Sequence, residues 1–361
     1  MRKVLLNLHL YLALIVGLFV VIIGVTGSIM AFEQELDQAL NPALFSVEPT
    51  AQVLPVADLL AAASKAYPGQ RINALRMPQS NKESASFAIK DRNTVYINPY
   101  TAEILGARSQ LSVLNTIHQI HIRLLLGAAG QDVVLIVNCV LLFLVASGVY
   151  LWWPYKRWTV KWKASARRVH FDIHNTTGIY SAVFLLLLGI TGALIHYNDE
   201  IEAYMLKSAG EVKVGKSAPS VIQAGAKKIS PDEALKVATA TIPGTKVLSI
   251  NVPPNAKGSY LVSLRHPEDL TPGGRSWVNV DQYSGKAVNS QDSHTAPAGT
   301  RFRIFLRATH TGDILGVTTK ILFSLSSFFL VLQAITGYYM WWKKLRLKQN
   351  RAELQAIDHA A

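Results

Sequence analysis

The sequence predicts an integral membrane α-helical bundle of four transmembrane helices, internally duplicated, with two large loops folded as α+β domains. Three observations lead to this fold class: four uncharged apolar windows, the distribution of lysine and arginine around them, and motifs that recur in the two halves of the chain. Half of the 361 residues are hydrophobic and only 16% are charged. Such a composition is typical of a membrane protein.

Four windows contain no Asp, Glu, Lys or Arg, and each is at least 22 residues long. They are residues 4–32, 133–155, 175–198 and 321–342. A helix needs about 20 apolar residues to cross a bilayer. The first window follows two basic residues, as a signal peptide would, but it is much longer than the roughly 7–15 apolar residues of a signal sequence. We therefore predict four membrane helices.

The basic residues indicate the orientation of these helices. The N-terminus, the short loop at 156–168 and the segment 343–351 hold thirteen Lys and Arg, opposed only by Asp172, Glu353 and Asp358. These segments account for +10 of the formal charge of +13, so the basic balance is a topology signal and does not indicate nucleic-acid binding. Both termini and the short loop are predicted to be cytoplasmic.

Motifs around four histidines recur at two constant offsets. His9 precedes "GVTG" (24–27) by the same distance at which His174 precedes "GITG" (189–192), an offset of 165. The segment of His121 with "GVYLWWP" (148–154) and that of His310 with "GYYMWWK" (337–343) correspond at an offset of 189. Because both halves enter the membrane from the same side, the repeats are predicted to be parallel and related by a pseudo-twofold axis along the membrane normal.

The two large loops also resemble each other. Segments 55–69 and 230–244 each read as a short amphipathic helix that ends in Pro-Gly, and segments 95–106 and 277–289 each read as two strands around a turn. A helix on a small antiparallel sheet is predicted in each loop, and residues 266–275 are predicted to form a hairpin loop.

These observations divide the chain into ten segments. They are transmembrane helix 1 (1–32), a first α+β domain (33–110), an interfacial histidine helix (111–130), transmembrane helix 2 (131–155), a cytoplasmic basic loop (156–169), transmembrane helix 3 (170–198), a second α+β domain (199–299), an interfacial histidine segment (300–316), transmembrane helix 4 (317–342) and a cytoplasmic tail (343–361). The single cysteine, Cys139, cannot form a disulfide or a thiolate metal site alone, and we expect it to be a small core residue.

The repeat singles out four of the ten histidines. His9 with His174, and His121 with His310, are the pairs that survive the alignment of the halves. An axis passing between equivalent imidazoles leaves room for one metal that binds both, and bis-imidazole ligation is a common way to hold a b-type haem. Intramembrane ionisable residues are usually functional. We expect these four side chains to be axial ligands of haem iron at two sites.

Other interpretations of the polar residues stay open. His118, His170 and His196 are alternative ligands, and a proton relay through the same imidazoles competes with haem binding. A non-haem metal is less favoured because no Asp, Glu or Cys recurs beside the histidines. Arg123 and Arg307 are candidates for contacts with haem propionates or an anionic substrate, or are simply interfacial. The remaining histidines, His266, His294 and His359, are expected to be solvated.

Six segments of the sequence carry a family resemblance: "LHLYLALIVG", "DIHNTTGIYSAVF", "IHIRLLLG", "SGVYLWWP", "THTGDILG" and "TGYYMWW". Together they resemble the PepSY-associated transmembrane family of iron-regulated membrane proteins. The resemblance covers nearly the whole chain, and within that family the chain looks like an inner-membrane ferric-siderophore reductase of Gram-negative bacteria. It implies two PepSY-like periplasmic domains, two b-type haems held by His9, His174, His121 and His310, and reduction of a periplasmic ferric siderophore for iron uptake.

Alternative functions remain at this stage. No dinucleotide-binding motif occurs, so electrons would come from a quinol or a cytoplasmic reductase. The main alternative is a non-enzymatic membrane scaffold or regulator whose PepSY-like domains bind a periplasmic protein. A transporter is not favoured, because the polar residues inside the windows are few and mild; they are Thr26, Thr191, Ser147, Asn138 and Gln333.

Overall fold

The structure is a computed structural model that describes residues 1–50, 52–89, 93–108, 113–222 and 225–360. The chain divides into two compact units. The helical unit comprises residues 1–32, 116–197 and 309–361, and the sheet unit comprises residues 33–115 and 198–308. Each unit is described by itself.

Helices dominate the chain. They are α1 (Arg2–Met30), α2 (Glu33–Leu40), α3 (Pro42–Phe45), α4 (Val56–Ala66), α5 (Val113–Arg123), α6 (Gly127–Trp152), α7 (Ala166–His196), α8 (Asn198–Ala209), α9 (Pro231–Thr241), α10 (Ala298–Thr311) and α11 (Val317–Ala360). Within the described residues, four helices are long and apolar enough to cross a membrane: α1, α6, α7 and the part of α11 from Val317 to Asn350. The four predicted windows correspond to these helices, and the first three windows extend two or three residues beyond the helix ends.

The ends of the long helices differ from the predicted boundaries by up to 18 residues, and the largest differences are three. Helix α6 begins at Gly127, before the charged Asp132 that bounded the predicted window, because Asp132 is exposed and does not interrupt a helix. Helix α7 begins at Ala166, inside the predicted basic loop, and α11 continues through the predicted tail to Ala360. Helix α5 corresponds to the predicted histidine helix. Leu111, the first residue of that prediction, lies outside the described residues.

The long helices of the helical unit form a closed ring. Helix α1 packs on α6 and α11, and α7 packs on the same two neighbours, so α1 and α7 lie diagonally across the bundle. The buried core of this ring includes Val20, Leu185 and Leu330. At Gly24 an added Cβ would lie 2.9 Å from Leu330, and at Gly189 it would lie 2.6 Å from Leu142. The first glycines of the two repeated motifs therefore permit close helix packing.

Cys139 differs from its prediction. Its side chain is exposed on α6 and does not belong to the core. An apolar window does not distinguish the inward from the outward face of a membrane helix, because lipid tails are as apolar as the bundle interior.

A buried carboxylate organises the loop between α6 and α7. Asp172 is completely buried in the first part of α7 and accepts two hydrogen bonds of 2.9 Å from Arg168. Arg157 lies 3.5 Å from the same carboxylate, and the backbone N–H of Lys161 donates to it at 3.3 Å. The loop is thus attached to the bundle through one acidic side chain.

The sheet unit contains one antiparallel sheet of eight strands. They are β1 (Ala74–Arg76), β2 (Ala85–Ala88), β3 (Thr94–Ile97), β4 (Ile104–Arg108), β5 (Lys246–Asn251), β6 (Ser259–Arg265), β7 (Ser276–Asp281) and β8 (Ala287–Gln291). The strand order is β4-β3-β2-β1-β5-β6-β7-β8. The two loops, for which separate small sheets were predicted, join where β1 pairs with β5, Leu75 opposite Ile250. The predicted strand pairs are β3–β4 and β7–β8, and residues 266–275 form the β6–β7 loop.

Helices α4 and α9 are the two predicted amphipathic helices, and they pack on the sheet through residues such as Leu59 and Ala238. Helix α9 begins with a capping box formed by Ser230 and Glu233. Helix α4 has no side-chain cap of its own. The Asp232 carboxylate at the start of α9 accepts hydrogen bonds from the N–H groups of Val56 and Ala57, at 2.8 and 3.0 Å, and so caps α4 from the other half of the chain.

Replacing the buried carboxylate should destabilise the helical unit. The variant Asp172→Asn loses the charge that Arg157 and Arg168 face, and we expect it to lose about 1–3 kcal/mol of stability. Thermal unfolding of the detergent-solubilised protein measures the effect. The exposed Asp132 on α6, 74% exposed, provides the matched control, and Asp132→Asn should unfold at the wild-type temperature. Equal melting temperatures for both variants would contradict this role.

Candidate functional site

The helical unit brings the four repeated histidines together in two pairs. The ring centroids of His9 and His174 lie 6.4 Å apart, and those of His121 and His310 also lie 6.4 Å apart. The first pair joins the diagonally opposed helices α1 and α7. The second pair joins α5 and α10. Nδ1 of His121 contacts Thr26 of α1, and Nδ1 of His310 contacts Thr191 of α7. Each predicted partner therefore lies next to its counterpart.

The common separation of the rings fits two imidazoles that bind one metal ion from opposite sides. A metal–imidazole nitrogen bond is about 2.0–2.1 Å long, and the ring centroid lies roughly 1.1 Å behind the nitrogen, so trans ligands place their centroids about 6.2–6.4 Å apart. Direct packing or a hydrogen bond between the rings would bring them closer. The spacing fits the axial ligation of a haem iron.

Hydroxyl groups orient all four imidazoles through their Nδ1 atoms. Ser147 lies 2.8 Å from Nδ1 of His9, Thr336 lies 3.1 Å from that of His174, Thr26 lies 3.2 Å from that of His121, and Thr191 lies 3.0 Å from that of His310. The backbone carbonyls of Ile23 and Gln333 lie 3.0 and 3.1 Å from Nδ1 of His121 and His174. The hydroxyl side chains are all buried.

The direction of these hydrogen bonds follows from the hydroxyl hydrogens. Each hydroxyl donates to a carbonyl of its own helix: Thr26 to Ile22 at 2.7 Å, Thr191 to Leu187 at 2.6 Å, Thr336 to Leu332 at 2.6 Å and Ser147 to Leu144 at 3.1 Å. The hydroxyl oxygen then acts as an acceptor, so we infer that Nδ1 carries the proton and donates. This tautomer leaves the Nε2 lone pair for a metal, as in many histidine ligand sites.

The hydroxyl partners repeat with the histidines. Thr26 and Thr191 stand 165 positions apart, and Ser147 and Thr336 stand 189 apart, which are the two offsets of the histidine motifs. Three of these residues were predicted from the sequence only to be weak evidence against a transporter, and Thr336 was not predicted to have a role. Aligning the halves for hydroxyl residues as well as histidines would have identified all four.

Glycines lie behind the imidazoles at matching positions. An added Cβ would lie 2.9 Å from Cε1 of His121 at Gly27, and 3.2 Å from Cε1 of His310 at Gly192. At Gly148 and Gly337 the corresponding distances, to Cε1 of His9 and His174, are 3.5 and 3.7 Å. The second glycine of each "GVTG" or "GITG" motif therefore makes room for a histidine of the other pair.

The two pairs lie far apart along the bundle. His9 and Gly27, which contacts His121, are 18 positions apart on α1. At 1.5 Å per residue their Cα atoms are about 27 Å apart, close to the thickness of about 30 Å of the hydrocarbon core. The pairs therefore lie near opposite ends of the membrane-crossing part of the helix.

A cavity opens beside the first pair. It is small, with a volume of about 120 Å³, and its lining includes His9 and His174. The other lining side chains include Leu141, Leu144 and Leu330, with Gly17 and Gly148. An apolar, glycine-bearing cavity with two facing imidazoles suits a flat macrocycle with a central metal.

The alternative histidines make other contacts. His170 stacks on Tyr339 with centroids 3.8 Å apart and its Nδ1 lies 2.8 Å from the Ala166 carbonyl. His196 lies 3.7 Å from Asp132.

The pKa of His121 is lowered. Burial lowers it, the Ile23 carbonyl raises it, and the nearby His118 lowers it, so the net direction favours a neutral imidazole, the form that binds metals.

The arginine candidates differ in their surroundings. Nε of Arg123 is buried and has no hydrogen-bond partner among the described residues. A buried N–H of this kind suits a carboxylate ligand.

In the sheet unit, burial lowers the pKa of Arg275, and the neighbouring charges of Arg307 and Arg303 lower it further. Arg303 and Arg307 therefore both lie near Arg275, and Arg303 is also paired with Asp199 and Glu202 at 2.5 and 2.9 Å.

Adding a methyl group at Gly27 should displace His121. In Gly27→Ala the new Cβ conflicts with Cε1 of the imidazole, which two hydrogen bonds hold in place, so we expect a loss of about 1–3 kcal/mol in stability. In the matched variant Gly148→Ala the new Cβ makes an ordinary contact with His9, and stability should remain within about 0.5 kcal/mol. Thermal unfolding distinguishes them, and a Gly27→Ala protein as stable as Gly148→Ala would contradict the close approach.

Comparison with known proteins gives a match to one family model. The model described as the PepSY-associated TM region matches residues 6–346, which include all four paired histidines. No curated protein matches the chain. Since the match spans almost the whole sequence, the chain belongs to the PepSY-associated transmembrane family.

Proposed function

We propose that this protein is a di-haem b oxidoreductase of the bacterial inner membrane that passes electrons to a periplasmic ferric siderophore, reducing Fe(III) to Fe(II) for iron uptake. The observation that carries the proposal is the pair of equal imidazole separations, each with Nδ1 held by a buried hydroxyl. Family membership is consistent with it. The electron donor is proposed to be a quinol or a cytoplasmic reductase.

The proposed haem sites use this chain's residues as ligands and as supports. His9 and His174 would hold one b-type haem and His121 and His310 the other, and a bis-imidazole haem supplies one-electron transfer without binding oxygen. Four hydroxyl groups hold the Nδ1 atoms of these histidines, and the Nε2 atoms would then be available to bind iron. The hydroxyls belong to Thr26, Thr191, Ser147 and Thr336. Arg123, with its buried N–H, is the proposed partner of a propionate.

The proposal includes the topology. The basic residues near the helix ends favour cytoplasmic termini and periplasmic large loops. The His9–His174 pair then lies near the cytoplasmic surface and the His121–His310 pair near the periplasmic surface. An internal duplication accounts for the two constant offsets that link the histidines, their hydroxyl partners and their glycines.

The substrate follows from the chemistry of iron chelates. Siderophore oxygens are hard ligands that hold Fe(III) far better than Fe(II), so the gain of one electron loosens the metal. Support for an anionic substrate comes from the cationic cluster of the sheet unit. Burial lowers the pKa of Lys216, and the charges of Arg275 and Arg303 lower it further, so these cations lie near one another. A bound anion would relieve their repulsion.

Histidine variants test the two sites separately. We expect the purified protein to contain two b-type haems per chain. His9→Ala and His121→Ala should each lose about half of the absorbance of the reducible Soret band, and the double variant should lose nearly all of it. His170→Ala and His196→Ala, which remove the alternative ligands, serve as matched controls and should retain wild-type spectra. A His9→Ala protein with full haem content, or a colourless wild type, would exclude this ligand set.

Mixing the reduced protein with a ferric hydroxamate chelate tests the reaction. Each mole of wild-type protein should produce about two moles of Fe(II), detected by a ferrous-specific chromophore, as the reduced bands disappear. His121→Ala should transfer electrons at least about tenfold more slowly, because the proposed periplasmic site is lost. The scaffold function predicts a different result. The wild-type protein would be colourless, and the sheet unit would capture a periplasmic protein even when all four histidines are replaced by alanine.

A further inference from the structure

Two histidines that do not take part in the proposed haem sites lie together in the sheet unit. His266 directly follows β6 and Asp292 directly follows β8. Because β6 and β8 both pair antiparallel with β7, their carboxyl ends lie at the same edge of the sheet, beside the start of β7. The topology thus brings the β6–β7 loop, with His266 and Glu268, next to the segment that contains Asp292 and His294.

Hydrogen bonds hold these two segments against each other. The Asp269 carboxylate accepts the backbone N–H of His266 at 2.8 Å and the Ser293 hydroxyl at 2.7 Å. The backbone N–H of Ser293 donates to the Ser276 hydroxyl at 2.9 Å. Hydrogen bonds between the two segments therefore fix the backbone positions of His266 and His294.

The side chains converge at this edge. The rings of His266 and His294 are stacked, with centroids 4.1 Å apart and planes inclined by 18°. Nε2 of His294 lies 3.8 Å from a carboxylate oxygen of Glu268. One potential ligand atom from each of these three residues lies within 4.8 Å of the other two. The three donors come from two different segments.

The donor atoms lie farther apart, at up to 4.8 Å, than in a formed metal site, and the stacked rings must turn before one ion can reach both. In a tetrahedral site with bonds of about 2.0–2.2 Å, the ligand atoms lie roughly 3.3–3.6 Å apart. Glu268 is 63% and His294 is 43% exposed, so modest rotamer changes can bring their donors together, and an ion can enter from solvent. His266 is 10% exposed, and its Nε2 lies 2.9 Å from Asp292. A carboxylate beside a ligand histidine orients the ring and increases its basicity.

We propose that His266, Glu268 and His294 form a binding site for a divalent first-row transition metal, with Asp292 as the orienting carboxylate of His266. Two imidazoles and one carboxylate suit Zn²⁺, Fe²⁺, Ni²⁺ or Cu²⁺ and are poorly suited to Mg²⁺ or Ca²⁺, which require more oxygen ligands. The three ligands leave at least one coordination position open. The site is independent of the proposed haem ligands and of the proposed reductase activity.

Zinc titration of the intact protein tests the site. The full chain is purified in detergent with a tag that contains no histidine, treated with a chelator, and titrated calorimetrically with Zn²⁺. We expect one high-affinity Zn²⁺ per chain and a rise in the unfolding temperature of the sheet unit. His294→Ala and Glu268→Gln should each weaken this binding by at least about tenfold and remove the thermal shift.

The controls separate this site from other metal-binding groups. Glu103→Gln removes an exposed carboxylate elsewhere in the sheet unit and should leave zinc binding unchanged. An excess of Ca²⁺ should not displace the bound Zn²⁺. Because the two substituted side chains are exposed, both variants should fold, as their melting temperatures without zinc will show. Equal zinc binding by the wild type and the two ligand variants, no saturable binding by the wild type, or displacement by Ca²⁺ would each overturn the proposal.

Discussion

The helical unit depends on the hydrogen bonds between buried hydroxyls and the Nδ1 atoms of four histidines. A polar ring in an apolar bundle is costly unless its nitrogen has a partner, and an unsatisfied group costs about 1–3 kcal/mol. Each hydroxyl donates to its own helix and accepts from a histidine, so one side chain satisfies two groups. The same bond selects the tautomer and the ring orientation. Stability and the proposed metal ligation would thus require the same arrangement.

Small residues complement this constraint. At Gly27 and Gly192 the helix backbone comes so close to an imidazole that a Cβ would be within 3.2 Å of the ring. Gly24 and Gly189, one turn earlier, face neighbouring helices at similarly short distances. A four-residue motif therefore provides a helix contact, a hydroxyl acceptor and space for a histidine. This multiple use explains why a Gly-x-Thr-Gly pattern occurs in both halves, which hydropathy alone would not predict.

Part of this organisation could be predicted from the sequence. The four windows and the repeated histidines identified the long helices and the correct partners, because apolar length and spacing are local properties. The partners of Nδ1, such as Thr336, depend on which residues face each other across the bundle, and no single window contains that information. The pairing of β1 with β5 was also not predicted, since it joins strands about 175 positions apart. Cys139 was assigned to the wrong face because its environment is apolar on either side.

The sheet unit shows how the two halves of the chain depend on each other. Asp232 caps α4 from the other half of the chain, and the central strands β1 and β5 come from different halves, so the sheet and the cap of α4 both require both halves. Its histidines were expected to be solvated, whereas His266 is nearly buried beside Asp292. Solvent exposure in a loop cannot be judged from composition when two loops meet at one sheet edge.

The central claim is that each histidine pair binds one iron with both imidazoles. Electron paramagnetic resonance of the oxidised, full-length protein tests it most directly, because six-coordinate bis-imidazole haem is low-spin and five-coordinate haem is high-spin. We expect two low-spin ferric haem signals per chain, with each signal lost separately in the His174→Ala and His310→Ala variants. A high-spin spectrum, a single signal that both variants remove, or no haem signal at all would contradict it.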